Sequence, residues 1–420
     1  MIDIKLIRDD PEVVYRAMEK RGEGRGPVEE IIEIDSSYRQ VLKESETLRA
    51  RRNDVSKQIS LMKDKPAGLI AEMRQVGDRI TQIEAESGLL SARLEDRLLR
   101  LPNLPSDDVP PGHGSEGNIE VRSWGRPREF TFTPLPHWDL AEKLGIIDFQ
   151  RGVKLSGTRF YVLRGMGSLL QRSLINFMLD LHVGEHGYTE MYPPSMVKRE
   201  CLVGSSNLPK FADNLYHDAE EDYWFVPTAE VPLTNLHRDE ILAPGSLPLY
   251  YAAHTSCFRR EKMAAGKDTR GIKRGHQFEK VEMYKFVEPA TSDGELNSLL
   301  DNAEDICRRL ELPHRVIQLC TGDLGFAAVK TFDIEMWAAG CGEWLEVSSC
   351  SNCGDFQARR ANIRYRPDPE AKPRLVHTLN GSGLALPRVM IAVMENYQQE
   401  DGSISVPTAL RPYMNTDTIR

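Results

Sequence analysis

The stretch that decides the fold is residues 255–286, TSCFRREKMAAGKDTRGIKRGHQFEKVEMYKF. Basic side chains outnumber acidic ones in it, although the whole chain has a formal net charge of -9. Two runs with β character, 250–261 and 272–286, flank the turn-prone segment 264–271, which predicts a β-hairpin. A local basic excess on an acidic chain indicates a phosphate-bearing ligand, but a solvated charged hairpin has the same pattern.

Alternation along the strands assigns the faces of this hairpin. Arg274, Phe278 and Glu282 have the same parity, so a regular strand projects a cation, an aromatic ring and a carboxylate from one surface. Arg259 and Glu261 share a face in the same way on the first run. Such a set can bind a nucleoside triphosphate and an amine, with guanidinium for phosphate, ring for base and carboxylate for ammonium.

The composition is that of a soluble globular protein with more than one domain. The chain has 420 residues, of which 40% are hydrophobic and 28% are charged. The N-terminal residues form no apolar signal core, and no apolar run approaches the roughly 20 residues that span a bilayer. We therefore predict a cytoplasmic protein that does not bind membranes.

Seven cysteines, an odd number, favour reduced thiols over a disulfide framework. The one close pair is Cys350 and Cys353, a lone CxxC without the second ligand pair of a zinc site. Its surroundings show no thioredoxin-like setting either. We favour structural or incidental thiols over metal binding or redox chemistry, and we expect no structural zinc.

An N-terminal domain, residues 1–100, is predicted to contain a long coiled-coil hairpin over about 28–100. Apolar residues follow an alternating three-four step in two series, and Pro66 and Gly68 are predicted to break the helix between them. Two helices of about 30 residues, each about 45 Å long, form an arm. Its far end is basic; the cations are Arg49, Arg51, Arg52, Lys57, Lys63 and Lys65. Either a dimerisation coiled coil with solvated charges or a nucleic-acid-binding arm fits this pattern.

Residues 101–118, dense in Pro, Gly and Asp, are predicted to link this arm to a second domain at 119–420. Strand-like and helix-like stretches mix throughout the second domain, with no internal repeat. It contains neither a GxGxxG nor a GxxxxGK[ST] loop, so side chains must hold any bound nucleotide.

Three stretches resemble the motifs of class II aminoacyl-tRNA synthetases. Phe258, Arg259 and Glu261 match the FRxE core of motif 2, and the continuation GIKRGHQFEKVEM is similar to that of seryl-tRNA synthetases. A predicted helix at 164–184 followed by HGYTEMYPPSMV resembles motif 1, and HTLNGSGLALPRVMIAVMENYQ, a predicted glycine-rich turn leading into a helix, resembles motif 3. The linker PNLP, the triplet TAE, SSCSN and LRPYM extend the resemblance to nearly the whole chain.

The resemblance implies an α+β fold, a class II antiparallel β-sheet flanked by helices, preceded by the coiled-coil arm. It implies a homodimer that uses ATP and Mg²⁺ to convert L-serine to seryl-adenylate and transfers the seryl group to tRNA(Ser). Whether tRNA(Sec) is also charged stays open. In this family the arm holds the long variable arm of the tRNA, so the six basic residues of the tip are expected to contact tRNA.

The resemblance also implies a set of site residues. Positions three apart on a regular strand face opposite ways, so a strand that offers both Glu346 and Ser349 to one metal must end or bulge near Val347. The implied serine-binding residues are Thr228, Ala229, Glu230, Glu282 and Ser382. The implied ATP-binding residues are Arg259, Arg260, Glu261, Arg274, Gly275, Phe278, Glu346, Val347, Ser348, Ser349 and Arg388, of which Arg259 and Arg388 are catalytic and Glu346 and Ser349 bind magnesium.

Two departures and two alternatives qualify this interpretation. Gly275 stands where the bacterial pattern often has a bulkier residue, and GSSNLPKF replaces the more usual GTGQLPKF, but neither departure removes a charged contact. One alternative is a synthetase-derived ligase that loads a carrier protein, which would not need the arm. The other is a nucleic-acid-binding or scaffold protein with an inactive synthetase body, which would not need Arg259, Glu261, Glu346, Ser349 and Arg388 together.

Overall fold

The computed structural model describes residues 1–62, 66–262 and 270–420. The chain divides into two compact units, Met1–Pro102 and Asn103–Arg420. Within the described residues, no helix combines the length and the apolar character that a membrane span requires.

The first unit is helical. Asp10 caps α2 with a carboxylate oxygen that accepts a hydrogen bond from the backbone N–H of Val13, and Pro11 occupies the first turn, where no N–H is needed. The helices are α1 Ile4–Asp9, α2 Pro11–Lys20, α3 Gly26–Leu61 and α4 Ala67–Arg100.

The predicted hairpin is formed by α3 and α4, which have 36 and 34 residues and are each about 50 Å long. The buried apolar side chains follow the predicted three-four spacing; they include Val28, Ile31, Ile34, Val41, Val76, Ile80, Ile83 and Leu94. One detail of the prediction is wrong, because α4 already begins at Ala67 and Gly68 therefore lies inside the helix. Gly68 has open space around it, so nothing there requires a break.

The second unit contains the remaining elements. Its helices are α5 His137–Leu144, α6 Phe149–Ser156, α7 Met166–Gly184, α8 Arg199–Gly204, α9 Glu230–Asn235, α10 Ser292–Arg309, α11 Phe356–Ala361, α12 Leu386–Tyr397 and α13 Arg411–Met414. Its strands are β1 Ile119–Trp124, β2 Ile147–Asp148, β3 Val162–Leu163, β4 Thr189–Glu190, β5 Met196–Lys198, β6 Tyr223–Phe225, β7 Ile241–Leu242, β8 Leu249–Phe258, β9 Gln277–Val287, β10 His314–Gln318, β11 Lys330–Ala338, β12 Glu343–Asn352, β13 Arg364–Tyr365, β14 Arg374–Leu375, β15 His377–Ala385, β16 Ile404–Ser405 and β17 Thr418–Ile419.

A sheet of eight strands, in the order β1-β10-β11-β12-β15-β9-β8-β4, organises this unit. Every neighbouring pair is antiparallel except β4 and β8, which are parallel. The antiparallel sheet with flanking helices confirms the predicted fold class. The predicted motif 1 helix is α7, and the strand after it, β4, has only two residues.

The two faces of β9 have different partners, as alternation predicts. Val281, Met283 and Val287 pack in the main apolar core together with α7, α10 and α12. Tyr284 and Phe286 point to the opposite face and pack with a second apolar cluster that includes residues of α9 and α11. Helices therefore cover the face on which Val281, Met283 and Val287 lie, and the other face stays open where β9 begins.

The return strand of the predicted hairpin starts later than expected. Its ladder with β8 begins at the pair Phe258 and Gln277, whereas residue 272 was the predicted start. The preceding segment leaves the ladder because Ile272 donates its N–H to the His137 ring instead, after Gly271 in the left-handed region at φ 74°. Most of the predicted turn at 264–271 lies outside the described residues.

The predicted glycine-rich turn of motif 3 is wrong, since residues 377–385 form strand β15. Its glycines serve close packing. A Cβ on Gly381 would lie 2.9 Å from the Cys350 Sγ atom, and one on Gly383 would lie 2.4 Å from His182 Nε2. Glycine lets neighbouring side chains approach the strand, while Asn380 and Ser382 alternate to the open face, on which both line a cavity.

Candidate active site

A cavity of about 330 Å³ opens on the uncovered face of the sheet, above β9, β12 and β15. Most of the predicted site residues lie together in its walls. These are Thr228, Glu230, Arg259, Glu261, Arg274, Gly275, Phe278, Glu282, Glu346, Val347, Ser349, Ser382 and Arg388.

Arg259 lies just beyond the end of β8 and is held on both sides. Its backbone N–H donates to the carbonyl of His276, and its Nε donates to the carbonyl of Pro227 at 3.2 Å. The guanidinium carbon lies 5.1 Å from the centre of the Phe278 ring. Because Nε is already bonded, the remaining guanidinium N–H groups are oriented as a fixed donor pair for an anion in the cavity.

Three side chains form a compact triangle at one end of the cavity. Lys280 Nζ donates to Thr228 Oγ1 at 2.8 Å and makes an ion pair with Glu282. Thr228 Oγ1 donates to Glu282 Oε2 at 3.1 Å. All three are buried, so the lysine charge offsets the buried Glu282 carboxylate and keeps it in one orientation.

Glu230 adds a second acidic group beside this triangle. Its Oε1 accepts hydrogen bonds from Gln357 Nε2 at 2.5 Å and Asn380 Nδ2 at 3.2 Å. Burial, with the Glu282 carboxylate adding to it, raises the pKa of Glu230 to about 7. An incoming ammonium group would favour the ionised form of Glu230, so this end of the cavity suits an amine.

The strand that carries Glu346 and Ser349 has the bulge that their spacing requires. In the pairing of β11 with β12, Ile334 lies opposite Ser348 and Glu335 lies opposite Glu346, so Val347 is the additional residue. Glu346 and Ser349 consequently both line the cavity.

Asp333 completes an oxygen-rich group with Glu346 and Ser349. It lies directly opposite Ser349 in the strand pairing, and its buried Oδ1 has no hydrogen-bond partner among the described residues. Burial, with Glu346 nearby, raises the pKa of Asp333 well above its usual range. Hard oxygen donors and a buried carboxylate oxygen without a partner fit a magnesium ion.

Arginines approach the cavity from two further elements. Arg388, in the first turn of α12 after Pro387, donates from Nη1 to the Glu346 carbonyl at 2.6 Å and lies 3.3 Å from its carboxylate. Arg274 lies 3.5 Å from the Glu261 carboxylate. Pairing with acidic side chains aims both cations into the cavity.

Three predicted residues do not line this cavity. Ala229 is buried at the start of α9, and Ser348 is buried with its hydroxyl donating to the Ser382 carbonyl at 2.6 Å. Arg260 is exposed and lies over the Tyr216 ring. Ser348 thus supports the lining residue Ser382 through its backbone, whereas the Arg260 side chain lies outside the cavity.

Sequence reasoning missed several lining residues. Lys280 shares the parity of Phe278 and Glu282, and Asn380 shares that of Ser382, so alternation alone could have identified both. Asp333, which lies opposite Ser349 and does not line the cavity, had no local signal, because its position depends on strand pairing. The other lining residues not predicted are Lys273, Ala385 and Pro387.

The basic residues of the arm differ in their pairing. Arg49 makes an ion pair with Glu84 at 2.6 Å, and Arg51 makes one with Glu72, both across the hairpin. Over the described ranges of the arm, 26–62 and 66–100, Arg52 and Lys57 make no such pair, and both are exposed. Lys63 and Lys65 lie outside the described residues.

The two parts of the chain match two known domain families. Residues 1–105 match the seryl-tRNA synthetase N-terminal domain, and residues 211–397 match the tRNA synthetase class II core domain (G, H, P, S and T). The serine–tRNA ligase of Thermomicrobium roseum is 60% identical over 419 residues, which are 99% of this chain and 93% of that protein. The chain belongs to the seryl-tRNA synthetases.

More distant relatives of this synthetase agree. The serine–tRNA ligase of Geobacillus kaustophilus is 53% identical over 424 residues and the whole of both chains. The crystal structure of seryl-tRNA synthetase from Pyrococcus horikoshii complexed with ATP has a TM-score of 0.93 at 40% identity, covering 100% of this chain and 99% of that one. This synthetase therefore uses ATP to activate serine and charge tRNA, and the carrier-protein and scaffold alternatives are excluded.

Proposed function

We propose that the cavity holds serine and ATP side by side, with the roles of its residues set by their positions. Glu230, Glu282, Thr228 and Ser382 surround serine at the end that carries the acidic groups. Arg259, Phe278 and Arg388 hold ATP along the rest. The observation that carries the proposal is that one cavity contains the fixed guanidinium of Arg259 and, beside it, two carboxylates suited to an ammonium group.

Activation then needs no protein nucleophile. The serine carboxylate oxygen attacks the α-phosphorus of ATP, the bond to the β-phosphate oxygen breaks, and pyrophosphate leaves. Negative charge accumulates on the α-phosphate oxygens, and the oriented donor pair of Arg259 meets it there. The terminal ribose hydroxyl of tRNA next attacks the carbonyl carbon of seryl-adenylate, and AMP leaves. Holding the reactants in line supplies much of the rate enhancement.

Glu346 and Ser349, with Asp333 beside them, are the residues that would hold Mg²⁺. When bound, the ion adds positive charge that screens the phosphate oxygens and assists departure of pyrophosphate. Arg388 donates a hydrogen bond to the backbone carbonyl of Glu346, so β12, which carries Glu346 and Ser349, also orients Arg388. This bond links β12 to α12, which carries Arg388.

Selection for serine follows from hydrogen bonding at the buried triangle. Glu282 accepts and Ser382 can accept or donate, so the serine hydroxyl leaves no buried polar group without a partner. Alanine lacks the hydroxyl and would displace water from Glu282 and Ser382 without replacing its hydrogen bonds, which costs far more than losing apolar contact. Threonine must be excluded by shape, which discriminates more weakly.

The proposal extends to the assembly and to tRNA. The resemblance supports a cytoplasmic homodimer whose arm contacts the variable arm of tRNA(Ser) through phosphates, for which the exposed Arg52 and Lys57 are available. The terminal ribose hydroxyl of tRNA(Sec) would accept the seryl group in the same way. The predicted N-terminal domain at 1–100, linker at 101–118 and catalytic domain at 119–420 remain the functional division that we propose.

Charging assays test this function. We expect [¹⁴C]serine to be transferred to a tRNA(Ser) transcript, with dependence on Mg²⁺, and a tRNA(Sec) transcript in a parallel reaction decides whether it is an acceptor. A Glu282→Gln protein should fold but lose serine transfer by a hundredfold or more, about 2.7 kcal/mol. Normal charging by that variant would show that Glu282 does not contact serine.

A further inference from the structure

Glu395, in the last turn of α12, has a buried carboxylate that accepts hydrogen bonds from α5 and from the β11–β12 turn. Its Oε1 lies 2.8 Å from the backbone N–H of His137, 2.9 Å from His137 Nδ1 and 3.1 Å from the Cys341 thiol. Its Oε2 accepts the N–H groups of Gly340 and Cys341, both at 2.9 Å. Burial opposes ionisation, but the hydrogen bonds from His137 and Cys341 lower the pKa of Glu395.

His137 connects this carboxylate to the loop that borders the cavity. Ile272 donates its backbone N–H to Nε2 of His137 at 3.2 Å, so Nε2 is the acceptor and Nδ1 carries the proton that Glu395 accepts. The chain lies very close to the ring, because a Cβ on Gly271 would come 2.0 Å from Nε2. Only glycine permits this approach at φ 74°.

We name residues 270–274 the return segment. Besides the bond from Ile272, contacts on either side of it anchor this segment. The Arg270 guanidinium carbon lies 4.8 Å from the centre of the Trp138 ring, and the same group lies 3.5 Å from Asp139. Lys273 Nζ lies 2.7 Å from Glu343, the first residue of β12. Arg274, the next residue, lines the cavity.

We propose that His137 and Glu395 are a positioning pair that holds the return segment in register with α12 and the β11–β12 turn, and so sets the affinity for ATP. Three segments that carry or lead into cavity residues meet at this pair: the return segment with Arg274, α12 with Arg388, and the turn that leads into β12 with Glu346. The inference rests on the proposed roles of Arg388 and Glu346 at the phosphates and on the position of Arg274 in the cavity wall. Serine contacts the other end of the cavity and depends on none of these bonds.

A bound metal is the competing interpretation of this cluster. One ligand atom each from His137, Cys341 and Glu395 lies within 4.8 Å of the others. Both carboxylate oxygens of Glu395, however, already accept hydrogen bonds, and each ring nitrogen of His137 has a partner. Mutual hydrogen bonding accounts for the geometry without an ion.

Two amide substitutions, each of which imitates one ring nitrogen, separate the two bonds of the histidine ring. His137→Asn places an amide N–H near the position of Nδ1 and keeps the bond to Glu395, but it loses the acceptor for Ile272. His137→Gln places an amide oxygen near Nε2 and keeps the bond to Ile272, but it loses the Glu395 bond. Pyrophosphate exchange at varied ATP and varied serine, with thermal melting of each protein, gives the readouts.

We expect His137→Asn to raise the KM for ATP about tenfold and to leave the KM for serine within twofold of wild type. His137→Gln should keep the KM for ATP within about threefold of wild type, even though its melting temperature is lower. A KM for ATP that follows the loss of melting temperature in both variants, or equal changes for ATP and serine, would overturn the proposal. Stoichiometric zinc in the purified wild-type protein would overturn it too. Absence of exchange by wild type would instead refute the proposed function.

Arg270→Ala provides a second test that does not depend on a buried residue. Arg270 is exposed, so the protein should fold, and loss of one anchor should raise the KM for ATP about threefold without changing the KM for serine. In combination with His137→Asn the two effects should not add, because both act on the same segment. An unchanged KM for ATP in Arg270→Ala, or strict additivity, contradicts the positioning role.

Discussion

Asp333 on β11 lies directly opposite Ser349 on β12, and its buried Oδ1 has no hydrogen-bond partner among the described residues. A buried carboxylate in this state raises the energy of the folded protein unless a cation is present. The bulge at Val347 brings Glu346 to the same place. The strand pairing therefore builds a group of oxygen ligands in which the ionised form of Asp333 is stable only beside a cation.

Replacing Asp333 by Asn should weaken magnesium binding and stabilise the metal-free protein. The folded state raises the pKa of Asp333, so it binds the proton more tightly than the unfolded chain, and wild-type stability falls as the pH rises above about 4. The amide removes this penalty. We expect a higher melting temperature without metal at pH 7.5, and Mn²⁺ binding in the presence of ATP, followed by electron paramagnetic resonance, about tenfold weaker. Unchanged melting and unchanged Mn²⁺ affinity would remove Asp333 from the site.

Arg259→Ala should abolish adenylate formation in a folded protein. Loss of the oriented guanidinium leaves the developing charge at the α-phosphate unmatched, which costs about 3 kcal/mol or more, a factor of over a hundred. Arg260→Ala is the matched control, because its neighbouring guanidinium lies outside the cavity, and it should retain at least tenfold more exchange activity than Arg259→Ala. Equal losses in the two variants would contradict the assignment of Arg259 to the α-phosphate.

The pH dependence of serine binding should report Glu230. Its pKa of about 7 in the free protein lies above the unfolded value of about 4.3, so at pH 6 the carboxyl is largely protonated and cannot pair with an ammonium group. The kcat/KM for serine is expected to rise with pH through about 7, while the KM for ATP stays nearly constant. The contribution of Glu230 to folding stability should have the opposite sign, because it falls as the pH rises from about 4.3, the unfolded pKa, to about 7, the folded pKa. A flat serine profile between pH 5.5 and 8 would show that Glu230 is ionised throughout.

The arm should matter for tRNA and not for small substrates. Every residue that lines the cavity belongs to the second unit. Replacement of residues 30–100 by a Gly-Ser linker should therefore leave the rate of pyrophosphate exchange within about tenfold of wild type, a barrier change of roughly 1.4 kcal/mol. The rate of tRNA charging should fall by several orders of magnitude. Charge reversal at Arg52 and Lys57 should weaken tRNA binding and reduce its salt dependence. Reversal at Arg93, which pairs with Glu30 far along the helix from these two, is the control. Charging that survives the deletion would refute the role of the arm in tRNA binding.

Local rules predicted much of this structure. The three-four spacing located both helices of the arm, and alternation placed Phe278 and Glu282 on one face of β9. The bulge at Val347 followed from chemistry, because two metal ligands three positions apart cannot share a face of a regular strand. In each case the pattern that decides the structure either repeats along the chain or involves residues only a few positions apart.

The errors and omissions have a common physical cause. The late start of β9 depends on His137, which is 135 residues away from Ile272, and the glycines of β15 accommodate side chains such as Cys350 and His182. A glycine has the same local signature whether it permits a turn or a close approach. Asp333 gains its importance only when β11 pairs with β12.

Pyrophosphate exchange with a panel of amino acids tests the central claim most directly. Wild-type protein, ATP, Mg²⁺ and labelled pyrophosphate are mixed with serine, alanine, glycine or threonine, without tRNA. We predict exchange that depends on serine, with alanine and glycine at least about a thousandfold less efficient because they cannot supply the hydroxyl that bonds Glu282 and Ser382. Threonine is rejected less strongly. Alanine activated about as well as serine would contradict the proposed pocket.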